Sequence, residues 1–130
     1  MISRDTFLRR VLLADAALSG LTGALMAGGS GLLAGLLALP EPLLRYAGLV
    51  LLPFAAFVAF VATRPAIPRG GAWAVVLING LWSLESVAML VMGWVAPNLL
   101  GSGFVLFQAA AVAGLAVLQF YGLRRFPSAA

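Results

Sequence analysis

Apolar runs long enough to cross a bilayer follow one another along this chain, parted only by short clusters of proline, glycine and arginine. The first run extends from Leu8 to Ala27, meets Gly28-Gly29-Ser30-Gly31, and resumes from Leu32 to Leu39 before Pro40-Glu41-Pro42. Three more cover 43–63, 72–95 and 103–123. A helix needs about 20 such residues to cross ~30 Å of hydrocarbon. The runs are continuous and lack the period-two alternation of a barrel strand, so helices are the structures expected. Composition agrees: 63% of the 130 residues are hydrophobic and 9% charged, against about 45–50% and about 25% in soluble domains. A globule of this length could not hide that surface from water. The expected fold is all-α: a polytopic membrane protein, one four-transmembrane-helix bundle over 1–130 with helices at 8–27, 43–63, 72–95 and 103–123.

The first run is too long for one straight span. Glycine relaxes the backbone limits, so a bend is expected at Gly28–Gly31, with a short interfacial or partly re-entrant segment over 32–39. The competing reading is one long, tilted helix carried through the glycines. Pro53, near the middle of the second span, removes a donor and is expected to kink it.

Arginine placement orients the bundle. Arg4, Arg9 and Arg10 precede the first span, Arg64 and Arg69 separate the second and third, and Arg124 and Arg125 follow the fourth. The opposite side carries only Arg45, with Glu41 nearby. The positive-inside rule then puts both termini of this multi-pass protein in the cytoplasm. Asp15 inside the first apolar run argues against a cleaved signal peptide.

Cysteine and histidine are absent, which excludes thiol nucleophiles, His-based triads and the usual zinc and haem ligands. The net charge of +4 belongs to arginines at span ends and does not point to nucleic acid. No catalytic, metal or cofactor site is expected, and the chain reads as non-enzymatic.

Polar residues inside the spans are the informative ones. The first span carries Asp15, Ser19 and Thr22; the third carries Asn79, Trp82, Ser83, Glu85 and Ser86; the fourth carries Gln108 and Gln119. Asp15 and Asn79 both lie roughly 10–12 Å from the arginine-flanked ends of their helices, at ~1.5 Å per residue, and could meet if those helices touch. Asn79, Trp82, Ser83 and Ser86 follow the i, i+3, i+4, i+7 pattern of one helix face. Glu85 projects to one side, with Met89 and Met92. Such groups serve either as interhelical hydrogen bonds, at about 0.6 kcal/mol each on average, or as a functional site. A carboxylate at depth costs about 2.5–3.5 kcal/mol on insertion scales, which tilts Asp15 and Glu85 toward function. The candidate polar site is Asp15, Asn79, Trp82, Ser83, Glu85, Ser86 and Gln108.

Small residues mark candidate packing faces: Gly20, Gly23, Ala24 and Ala27 on the first span, Ala110 and Gly114 on the fourth. They serve the bundle itself, a homo-oligomer or a larger membrane complex. Trp73, Trp94 and Tyr121 read as interfacial anchors, and Trp82 as a core residue or cavity wall.

The Arg-rich start, Ala14-Asp15-Ala16-Ala17-Leu18-Ser19-Gly20, Leu51-Leu52-Pro53-Phe54-Ala55, Asn79-Gly80-Leu81-Trp82, Gly93-Trp94-Val95-Ala96-Pro97 and Gln108-Ala109-Ala110-Ala111 together resemble small four-helix integral membrane proteins of proteobacteria. That resemblance covers nearly the whole chain and implies the fold; it implies no activity. The reading from sequence is therefore an accessory or scaffold element of the membrane. The alternatives are a proton-coupled transporter or permeation unit using Glu85 or Asp15, and a protein that binds a lipid or quinone tail beside Pro53-Phe54 and Phe57.

Overall fold

The computed structural model describes residues 2–125, with side chains from Thr6 to Arg124; the Arg4 and Arg125 side chains, counted in the charge asymmetry, lie outside that set. Five helices follow in order: α1 (Ile2–Gly28), α2 (Ser30–Leu37), α3 (Glu41–Ala62), α4 (Arg69–Val91) and α5 (Leu99–Arg125). All but α2 are long and apolar enough to span a bilayer. The protein is an all-α, four-span membrane bundle with one additional short helix.

Local chemistry sets the breaks. Gly29, at φ −109° and ψ 21°, separates α1 from α2. Its N–H still bonds Leu25 O at 2.8 Å and its own carbonyl accepts from Leu33 N at 2.9 Å, so helical hydrogen bonding carries across the break without a loop. The short helix therefore occupies 30–37, two residues earlier than the expected 32–39. It ends at Ala38, which takes the left-handed conformation (φ 55°). Extended Pro40 and Pro42 open α3, where a missing N–H costs nothing. The helix then continues through Pro53, which sits on its exposed side.

The third span stops at Val91, short of the expected Val95. Gly93 (φ 73°) closes it in a Schellman turn, with Gly93 N bonded to Leu90 O at 3.2 Å and Trp94 N to Met89 O at 3.0 Å. The first span begins earlier than expected, as the polar and charged residues before the apolar run continue the helix, and the last begins at Leu99, where the Asn98 side chain caps it.

α1 packs most extensively on α3 and α4 on α5; α1 against α5 joins the halves, while α3 and α4 barely touch. The α1–α3 crossing is close because Gly23 and Gly48 face one another, each without room for a side chain. Asn98 holds two helices at once. Its side chain donates to Leu36 O (2.9 Å) at the end of α2, and accepts from Gly101 N (2.8 Å) in the first turn of α5.

At the arginine-rich end, Leu8, Leu12, Val58, Val61, Ala72 and Leu123 belong to a dry core. Arg9 donates there to the carbonyls of Ala62, Arg64 (2.8 Å) and Pro65 (3.2 Å), and Arg69 to Leu123 O (3.3 Å). Both cations thus sit at helix C-termini, where the macrodipole favours them. A second apolar cluster, built on Met26, Leu37, Leu44, Leu51 and Val105, lies toward the other end. Leucines on the outer faces of α1 and α4, such as Leu21, Leu81 and Leu84, are exposed to lipid.

Candidate functional site

Two groups of polar side chains lie between these cores, both organised by α4. The inward stripe of α4 is apolar at Ala72 and Val75 and becomes polar at Asn79, Ser83 and Ser86, all buried. Nearer the arginine-rich end, Asn79 Nδ2 donates to Asp15 Oδ2 at 2.7 Å and to Gln119 Oε1 at 3.1 Å. Gln119 Nε2 also donates to Asp15 Oδ2 at 2.7 Å, and Ser19 Oγ to Asp15 Oδ1 at 3.0 Å. Asp15 and Gln119 have no exposed surface. This closed circuit ties α1, α4 and α5 at one level. Bonds of this kind contribute about 0.6–1.7 kcal/mol each in membranes, so three of them match the insertion cost of about 2.5–3.5 kcal/mol for the carboxylate. The circuit adds little net stability; what it fixes is the register of three helices.

The second group lines a groove. Because α3 and α4 scarcely meet, an open space of about 760 Å³ lies between them, with α5 as its floor. Leu43, Ala47 and Val50 supply the α3 wall, Trp82, Glu85 and Met89 the α4 wall, and Phe104 and Gln108 the floor. Leu39, Pro40, Trp94 and Val95 line its end away from the arginine cluster. Trp82 Nε1 donates to Gln108 Oε1 at 2.9 Å. Gln108 Nε2 in turn donates to Ser86 Oγ (3.0 Å) and Val105 O (3.1 Å). Ser83 Oγ donates to Ala109 O at 2.8 Å, pinning α4 to α5 between the two groups.

The seven polar candidates therefore divide. Asp15 and Asn79 belong to the buried circuit; Trp82, Glu85, Ser86 and Gln108 line the groove; Ser83 is a strut between them. Asp15 and Glu85 share no contact. Two members of the circuit, Ser19 and Gln119, stand outside the candidate set drawn from sequence. Ser19 is the i+4 neighbour of Asp15, a usable signal; nothing local marks Gln119 as its partner. Phe57 takes no part in the groove and Pro53 lies apart from it.

Among the small residues, Gly23 sits in the α1–α3 contact, where Gly48 also closes on the backbone of Ala27, and a Cβ at Gly20 would lie 3.7 Å from Ala55 Cβ. Ala24, Ala110 and Gly114 are exposed among the described residues. Among the described residues no three acidic side chains gather into a metal-binding group. The chain matches no family model, no curated protein and no solved structure.

Proposed function

We propose that this protein is a non-enzymatic element of the bacterial inner membrane that holds an amphiphilic, membrane-borne molecule in the groove between α3 and α4. The observation that carries the reading is the groove itself. Its volume of about 760 Å³ falls in the range of small-molecule sites, about 300–1,000 Å³. Its walls are apolar with a few convergent polar groups. The non-catalytic part rests on the carboxylates. Asp15 is occupied by three donors and Glu85 stands apart, so no acid–base pair is available.

Tryptophan quenching tests the groove. In a Trp73→Phe/Trp94→Phe background, Trp82 is the remaining tryptophan. Lipids brominated on the acyl chain quench it if chains enter the groove, and Ala47→Phe, which fills the groove, restores the emission. Emission from Trp82 unaffected by brominated lipid refutes the reading.

A scaffold role is the second reading, favoured by the uncovered small-residue face of α5 at Gly103, Ala110 and Gly114. The chain has no cysteine, so oxidative cross-linking of an Ala110→Cys variant in membranes reports directly on self-association. Either role is exercised with both termini in the cytoplasm, as arginine placement argues. A reporter fused to the C-terminus that is active only in the periplasm refutes that orientation.

A further inference from the structure

Among the described side chains, Glu85 is the one carboxylate without a partner. Asp15 is held by Ser19, Asn79 and Gln119, and Glu41 by Arg45 (2.8 Å) and Ser30 (2.7 Å). Glu85 is exposed, lines the groove, and makes no hydrogen bond or ion pair. It lies roughly 9 Å below the Val91 end of α4, at ~1.5 Å per residue. No cationic side chain lines the groove. Arg45, next to lining residue Tyr46, is engaged by Glu41 and stacked 5.1 Å from the Tyr46 ring centre. Three other polar groups of the groove bond one another, Trp82 to Gln108 and Gln108 to Ser86, and the Tyr46 ring is engaged by Arg45. Glu85 is thus the unanswered charge of an otherwise uncharged site, and Trp82, Trp94 and Phe104 place aromatic rings around the same space.

We infer that the groove takes a lipophilic ammonium, an apolar body carrying a protonated or quaternary amine, with Glu85 as its counter-ion. This rests on the groove reading above and names its ligand. The charge complements Glu85 at a depth where an unpaired carboxylate is costly. The aromatic walls favour a cation over a neutral head, through the negative faces of their rings. An anionic amphiphile meets repulsion from Glu85 with no basic residue to offset it. The amine of a phospholipid sits at the membrane surface, above the level of Glu85. A small amphiphile that can sink to that level is the better match.

Two probes of one shape separate the charge from the groove: a radiolabelled alkyltrimethylammonium, and its neutral twin with carbon in place of nitrogen. Binding is measured on the full chain in phosphatidylcholine nanodiscs, with empty nanodiscs as the partitioning blank. The wild-type protein is expected to hold the ammonium about tenfold or more tighter than the twin. Glu85→Gln reduces the ammonium to the level of the twin and leaves the twin unchanged. Glu85→Asp keeps a preference for the cation. The exposed position of Glu85 lets both variants fold, as their gel-filtration profiles check. Equal binding of the two probes to wild type, or a cation preference that survives Glu85→Gln, overturns the inference and leaves the groove reading intact. If neither probe binds to wild type, the groove reading falls and this one falls with it.

Discussion

Adding one methyl group at Gly48 is expected to pry α1 from α3. A Cβ placed there lies 2.5 Å from Ala27 N, 2.7 Å from Gly23 O and 3.0 Å from Met26 Cβ. The nearest of these is about 0.9 Å inside the 3.4 Å at which ordinary contact begins. Two of the three are backbone atoms of α1, which no rotamer change can move. The helices must part by nearly that distance, and a gap of about 0.5–1 Å forfeits a quarter to a half of each dispersion contact. Between helices in lipid there is no hydrophobic effect to compensate. Overpacking costs about 1–3 kcal/mol, while alanine returns about 1 kcal/mol of helix propensity over glycine. The net expectation for Gly48→Ala is a loss of up to about 2 kcal/mol. Gly80 is the control: it lies in the interior of α4, and a methyl added there meets nothing within 4 Å. The propensity gain then stands alone, so Gly80→Ala stabilises by up to ~1 kcal/mol. Reversible unfolding in mixed micelles with dodecyl sulfate, followed by tryptophan fluorescence, measures both. Equal stability of the two variants would refute the close crossing of α1 and α3.

Gln119→Leu removes two hydrogen bonds from the buried circuit and is expected to cost about 1–2 kcal/mol. In a double-mutant cycle with Asn79→Leu the two losses sum to more than the double variant shows, because each single variant already loses the bond between Asn79 and Gln119. Asn98→Ala unties α2 from α5 and is expected to cost about 1–2 kcal/mol. Hydrogen exchange should locate the loss in the last turn of α2 and the first of α5. Ala38→Gly relieves the left-handed conformation and is expected to stabilise by up to ~1 kcal/mol in the same unfolding assay.

The spans were legible because hydropathy and helix rise are local properties. A run of apolar residues declares its own helix, and counting along it sets the depth of Asp15 beside Asn79. Caps were less legible. Gly93 stands two residues beyond the end of α4, and its effect depends on a backbone conformation that composition does not reveal. Neighbour relations were not legible at all. Gly20, Gly23, Ala24 and Ala27 were all candidates for packing on α1, and of the two glycines Gly23 is the one that meets Gly48. Gln119 joins Asp15 across 104 positions of sequence, a pairing fixed by which helices touch. The groove is harder still to read, since it arises from a contact that α3 and α4 do not make.

The two ends of the bundle differ in a way that bears on holding versus passage. Toward the arginine-rich end, Leu8, Leu12, Val58 and Leu123 pack without polar interruption, and Arg9 and Arg69 cover the helix ends. The groove at the other end runs inward as far as Trp82 and Val50. Behind these two residues lies a void of about 40 Å³, bordered by Ser19 and Asn79. A void needs about 10–15 Å³ of such space to admit a water, so this one has room for water and none for an amphiphile. Trp82, its indole held by Gln108, is therefore the partition between the groove and the Asp15 circuit. A molecule that reaches Trp82 meets a wall, with a dry core beyond it. The groove therefore ends at Trp82, with the Asp15 circuit on the far side of that wall.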